Sequence, residues 1–133
     1  MLVGAGNLWG NTYSYAMCIL EEMQWIKSKS IQAAEFFHGT IELVEEDASV
    51  ILFKGEDETR PLVERVERFA EKINKKLYII DTKDYPLEGI SEEFRKHFAV
   101  NLNWTLTVRI SVYLERERKH PLDLRRYYRK MEY

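Results

Sequence analysis

Ser49-Val-Ile-Leu-Phe-Lys-Gly-Glu-Asp-Glu-Thr-Arg-Pro-Leu-Val-Glu-Arg-Val-Glu-Arg-Phe-Ala-Glu-Lys-Ile-Asn-Lys-Lys-Leu-Tyr-Ile-Ile80 is the stretch that decides the fold. Val50–Phe53 is a short, unbroken apolar run, the pattern of a strand buried on both faces in a parallel sheet. Glu58–Lys75 follows with Leu62, Val63, Val66, Phe69, Ala70 and Ile73 at helical spacing. Pro61 falls in the first turn, where its missing N–H costs nothing. Leu77–Ile80 is a second apolar run, and Asp81–Pro86 leaves it as a turn-rich loop. Strand, amphipathic helix, strand is the unit that builds a parallel sheet through right-handed crossovers.

The pattern extends in both directions. Met1–Val3 reads as another strand, with Gly4-Ala-Gly6 directly after it. So abrupt a start predicts further chain upstream. Tyr13–Lys27 reads as a helix apolar over most of its circumference, hence packed between other elements. Ile31–Val44 reads as a second helix, broken at His38-Gly39. Ser91–Phe94 starts a helical turn, and Ala99–Arg118 is a long helix stopped by His120-Pro121. Its expected core face is Phe98, Leu102, Leu106, Val112 and Tyr113. Trp104, Val108 and Ile110 fall off that face, and exposed apolar residues there predict an interface. The expected whole is one α/β domain over residues 1–133, with residues 119–133 as a C-terminal tail docked on the protein or on a partner subunit. In such sheets ligands sit at the carboxyl ends of strands, here the loops starting at Gly4, Gly55 and Asp81.

Composition narrows the classes of function. The chain has 133 residues, 45% hydrophobic and 32% charged, with a net charge of −2. That length fits one core, and the absence of a basic surplus argues against nucleic acid as a partner. No run approaches a membrane span, and no basic segment precedes an apolar one at the N-terminus. The single cysteine, Cys18, sits in an apolar run and reads as a small buried hydrophobe in a reducing compartment. A soluble, cytoplasmic protein is expected. Three histidines and one cysteine, widely scattered, have no metal-ligand spacing.

The candidate chemistry rests on a few residues. Gly4–Gly10 joins a strand to a helix, and its glycines could let backbone N–H groups approach an anion. Gly6 and Asn7 are the candidate binding residues there, although a plain tight turn fits as well, and the third glycine of a dinucleotide fingerprint is displaced. Glu22 lies among Met17, Leu20, Met23 and Ile26. Burial would raise a carboxyl pKa toward that of a general base, whereas a polar helix edge would leave it a surface residue. His38 stands beside the expected break, and Glu35, three residues before it, can pair with it on one face. A receiver domain of the same fold class would need paired acids after the first strand, where the chain has Gly4-Ala-Gly6.

At these residues the chain resembles a known family. Glu21-Glu-Met-Gln-Trp-Ile26 and Ala33-Ala-Glu-Phe-Phe-His-Gly-Thr40 look like the helix pair of sugar-isomerase (SIS) domains. The likeness is to the second SIS domain of fructosamine-type deglycases, which act on fructoselysine 6-phosphate, and more distantly to the isomerase half of glucosamine-6-phosphate synthase. The ending His120-Pro-Leu-Asp-Leu-Arg-Arg-Tyr-Tyr-Arg-Lys-Met-Glu-Tyr133 is similar to the deglycase ending. The resemblance implies a flavodoxin-like fold with a five-stranded parallel sheet, paired with another SIS domain or with a second copy as a homodimer. It implies that Glu22 moves the proton between C1 and C2 of an open-chain sugar. It also implies that His38 assists ring opening, often in a neighbouring subunit's site, and that Lys130 approaches the substrate. The substrate class is a ketosamine phosphate, hydrolysed to amine and aldose phosphate with no cofactor. Glu35, Gly6 and Asn7 remain candidate substrate-binding residues.

Departures from the family pattern are specific. The Ser/Thr-rich loop that grips the sugar phosphate belongs to the family's first SIS domain, and this chain has no such loop. Thr40 replaces the proline expected after His-Gly, and Ile19 stands where the synthase pattern has a lysine. The alternative expectation is therefore a non-catalytic, phosphosugar-binding or dimerising SIS module, an excised or engineered half-enzyme.

Overall fold

The computed structural model describes all residues, Met1–Tyr133. Four parallel strands form one sheet: β1 (Leu2–Gly4), β2 (Ser30–Gln32), β3 (Val50–Lys54) and β4 (Leu77–Asp81), in the order β2-β1-β3-β4. The resemblance led us to expect five strands. Here β4 is an edge, with Tyr78 and Ile79 exposed. β1 is short yet central. Leu2 lies level with Ser30 on one side and Ile51 on the other.

Side chains alternate across the sheet, so neighbouring residues feed opposite cores. Val3, Val50 and Leu52 pack with Ile31, Phe36, Val63 and Val66 on one face. Leu2 and Phe53 pack with Leu8, Tyr15, Leu20 and Ala99 on the other. Each face is roofed by helix, which gives three layers.

Helix α1 (Trp9–Ser14) continues without a break into a π-helical stretch, Tyr15–Met23. The wider turn is marked by the Gln24 N–H donating to Ile19 O, five residues back, at 2.9 Å. Tyr15 and Leu20, five apart, are therefore both buried, and Met17 faces solvent. Ordinary helical spacing had placed Met17 on the apolar face. Cys18 is half-buried.

The helix expected over Ile31–Val44 is not there. Residues 30–32 are β2, closed onto β1 by Leu2 N–H to Lys29 O (2.8 Å) and Ala33 N–H to Gly4 O (2.9 Å). Two 3-10 turns follow, Phe36–His38 and Thr40–Leu43, hinged at Gly39 with φ 138°. That φ suits glycine and breaks any helix.

Helix α2 is Arg60–Ala70, shorter than expected, and α3 is one helix from Glu92 to Arg118. The buried face of α3 also differs from expectation. It is Ala99, Asn103, Thr107 and Ser111, whereas Phe98, Val112 and Tyr113 are exposed and Leu102 and Leu106 are only half-buried. Small residues let α3 lie close against Leu2, Leu8 and Phe53. Thr107 and Ser111 donate their hydroxyls to Trp104 O (2.9 Å) and Thr107 O (2.7 Å) of their own helix, so they bury without unpaired oxygens. Trp104, Val108 and Ile110 are exposed, as the sequence predicts. No helix is long and apolar enough to cross a membrane.

Candidate functional site

The carboxyl ends of the strands, the expected binding place, are filled by ion pairs. Lys54 at the end of β3 lies 2.7 Å from Glu67 and 3.4 Å from Asp81 at the end of β4. Arg60 forks onto both oxygens of Asp81 and donates to Glu64 at 2.8 Å. Burial pushes the Asp81 carboxyl up, but the Arg60 fork, the Lys83 N–H and Lys54 outweigh it and hold it below the usual carboxylate range. Glu56 behaves alike. Burial raises it, and the Arg95 fork at 2.7 and 2.9 Å lowers it further. These loops are locked to one another by charge.

The Gly4–Gly10 turn is closed in the same way. The Asn7 backbone N–H donates to Asp57 Oδ2 at 2.7 Å. Asp57 also accepts from the Thr59 N–H at 2.9 Å. Burial raises the Asp57 carboxyl, and its bonds from Thr59 and Asn7 more than reverse this, so it stays ionised. Gly6 has φ 49°, and an added Cβ would strike the Thr59 hydroxyl and both Asp57 oxygens. An internal carboxylate thus stands where an external anion would bind. Of the two candidate binding residues at this turn, Asn7 has its backbone N–H engaged within the chain.

The open space lies elsewhere. A cleft of about 760 Å³ runs between the end of the π-helical stretch and the C-terminal tail. The helix leaves the carboxyl end of β1 and descends antiparallel to it, so its far end, Glu21–Met23, reaches the amino ends of the strands. Glu21 confirms the level. It accepts from the Ser28 hydroxyl at 2.9 Å, next to Lys29, whose carbonyl pairs with Leu2.

Gln24 and Trp25 build the wall on which the tail docks. Gln24 is fully buried and donates Nε2 to His120 O at 2.7 Å. Arg118 Nη1 donates to Gln24 O at 2.5 Å and Oε1 at 3.1 Å. Trp25, at φ 54°, turns the chain out of the helix, and its ring meets the His120 ring at 4.5 Å. The Arg126 guanidinium covers it at 3.9 Å. The aromatic, basic end of the chain is therefore docked, as its composition predicts.

Glu22 sits in this cleft, its side chain 30% exposed. Arg125 Nε donates to Glu22 Oε1 at 2.9 Å. Arg125 is itself fixed by Nη1 donating to Leu122 O at 2.6 Å and Leu124 O at 2.9 Å. One carboxylate oxygen is thus held by a preset guanidinium, while Oε2 accepts no hydrogen bond from the chain. Sequence reasoning missed Arg125, although its place in an Arg/Tyr-rich tail was a signal.

The other candidates are not brought to Glu22 within one chain. His38 does not line the cleft. It is 73% exposed on its 3-10 turn, with Nδ1 3.8 Å from Glu35 Oε2, the pairing expected from their spacing. Lys130 is exposed; its backbone N–H donates to Tyr127 O at 2.9 Å, and its side chain makes no ion pair. Tyr127, Tyr128 and Tyr133, on either side of it in sequence, do line the cleft.

Known proteins share this arrangement of chain. Fructosamine deglycase FrlB of Bacillus subtilis is 40% identical over 131 residues, covering 98% of this chain. This chain therefore resembles the SIS-type domains of such deglycases. Fructoselysine 6-phosphate deglycase of Escherichia coli K12 is 29% identical over 126 residues, or 95% of this chain. A crystal structure from B. subtilis, described as a candidate phosphosugar isomerase, superposes with a TM-score of 0.95 at 40% identity over 99% of this chain. No protein-family model matches. The chain spans 40% of the length of the B. subtilis deglycase and 36% of the E. coli one. Similarity thus supports the sugar-phosphate isomerase and deglycase group.

Proposed function

We propose that this chain is the proton-transfer half of a ketosamine-phosphate deglycase. The observation that carries the reading is Glu22, a carboxylate in an open cleft with one oxygen held by Arg125 and the other free. Such a group can take a proton from carbon and return it one carbon away, a task worth roughly 10²–10⁴-fold in rate. Glu22 removes a proton from C1 of the open-chain ketoamine, and the enaminol is protonated at C2. The resulting imine takes up water and releases amine and aldose phosphate, and no cofactor enters. His38 and Lys130 assist in this reading, His38 from a neighbouring subunit, since its exposed turn is outside the Glu22 cleft. The phosphate is gripped by residues outside this chain, and the place of Glu22 at the amino ends of its own sheet suits service to a site completed by another domain.

A second reading, a phosphosugar-binding or dimerising module without turnover, is favoured by one observation. The N–H that could have met a phosphate at the Gly4–Gly10 turn already serves Asp57. Turnover of a ketosamine 6-phosphate, with glucose 6-phosphate titrated in parallel, separates the two. The enzyme reading expects Glu22→Gln to lower kcat at least ~100-fold while glucose 6-phosphate affinity is unchanged. Absence of turnover in the wild-type chain at high substrate concentration supports the module.

A further inference from the structure

Arginine–carboxylate pairs in this chain are of two kinds. Arg60 takes both oxygens of Asp81, and Arg95 takes both oxygens of Glu56 through Nε at 2.7 Å and Nη2 at 2.9 Å. A carboxylate gripped on both oxygens is a structural link. Arg125 meets Glu22 differently. Its Nε alone reaches the carboxylate, on Oε1 at 2.9 Å, and Nη1 is turned away to Leu122 O and Leu124 O. Glu64 shares the one-oxygen contact, from Arg60 Nε, but it stands on α2 and does not line the cleft.

The guanidinium is set from its own side. Pro121–Leu124 forms a turn, closed by Leu124 N–H to Pro121 O at 3.2 Å. Leu122 N–H ties that turn to α3 by donating to Glu115 Oε1 at 2.8 Å. The turn aims two carbonyls at Nη1 of Arg125. Gln24, two residues beyond Glu22, holds the start of the tail through His120 O at 2.7 Å. One short segment of the helix end thus carries both the carboxylate and the anchor of the arginine that meets it. A glutamate side chain has several staggered rotamers open to it. A planar guanidinium already fixed by two carbonyls selects among them, because its Nε–H points in one direction only.

We propose that Arg125 is the positioning residue for Glu22: it holds Oε1 and so aims Oε2 alone at the carbon-bound proton. This rests on Glu22 being the proton carrier. Arg125 acts through Glu22 and touches no reacting atom. Misplacing a reacting group by about 1 Å costs on the order of 10²-fold, so its loss falls on kcat and leaves KM nearly as it was.

A double-mutant cycle on turnover of a ketosamine 6-phosphate tests it. Arg125→Ala should lower kcat by roughly 10–100-fold, with KM within about threefold of wild type. In a Glu22→Gln background the same change should cost less than about twofold, because no carboxylate is left to aim. Equal losses in the two backgrounds would make Arg125 a tie for the tail and overturn the proposal. Arg125→Ala at the wild-type kcat would overturn it too, and a slow Glu22→Gln beside it would leave the proton-transfer reading standing. Glu22→Gln at the wild-type rate, or no turnover by the wild-type chain, would remove that reading and this one together. The contact itself is read without turnover. In uniformly nitrogen-15-labelled chain the Arg125 Nε–H resonance should move on Glu22→Gln, and an unmoved resonance would show that the two side chains do not meet in solution.

Discussion

Replacing Asp81 by Asn probes whether the carboxyl end of the sheet is structural. The amide keeps the shape of the carboxylate and removes its charge. Asp81 accepts from both Nη atoms of Arg60 and, at 3.0 Å, from the Lys83 N–H, with Lys54 Nζ 3.4 Å away. In the variant two cations face an amide that also carries donors. Removing one partner of a buried ion pair costs about 3–5 kcal/mol, and here Glu67 and Glu64 remain as partners for Lys54 and Arg60, which places the loss near 3 kcal/mol. For a chain of this size that is a drop in Tm of roughly 10 °C. Urea unfolding at neutral pH measures it, with an unchanged m-value expected. Acid supplies the control. The folded pKa of Asp81 lies below its unfolded value, so its stabilisation is present above the unfolded pKa and fades as pH falls through the folded one. The two proteins should therefore converge in stability at low pH. A neutral-pH loss below about 1 kcal/mol would make this a surface-type pair and refute the reasoning. A stable Asp81→Asn variant that lost sugar-phosphate binding would return the site to this end of the sheet.

Three other changes probe a loop, the core and the docking of the tail. Gly6→Ala should cost about 2 kcal/mol in urea unfolding, because φ 49° and the Asp57 and Thr59 oxygens leave no place for a Cβ. Leu52→Ala, at a fully buried position in β3, should cost about 3 kcal/mol with an unchanged m-value. Gln24→Ala removes the side-chain bonds to His120 in the tail and to Arg118 at the end of α3, and should speed tryptic cutting at Arg125 and Arg126 by roughly tenfold, about 1.4 kcal/mol of docking.

The sheet was legible where the sequence signal is local. Val50–Phe53 and Leu77–Ile80 are continuous apolar runs flanked by turns, and α2 carries a clean helical stripe, so all three were found. β2 was not, because three residues between Lys29 and Ala33 give too short a run to show a period of two, and Phe36 and Phe37 extended it into a false helix. α3 was found as a helix but turned the wrong way. Large apolar residues were assigned inward, whereas close packing selected Ala99, Thr107 and Ser111 and left the aromatics outside. The π-helical turn hid the exposure of Met17 for the same reason: spacing rules assume one pitch. In the candidate cleft, Glu22 could be picked out from the sequence as a carboxylate beside apolar residues, with a polar helix edge as the other reading. Its partner could not, because Arg125 is 103 residues away in sequence and only the folded tail brings the two together.

Incubating the chain with a ketosamine 6-phosphate in D2O, and following hydrogen at C2 of the released aldose phosphate by NMR, tests the role of Glu22 most directly. The account predicts product carrying deuterium at C2, formed at least ~100-fold more slowly by Glu22→Gln. Deuterated product formed at the wild-type rate by Glu22→Gln would contradict it.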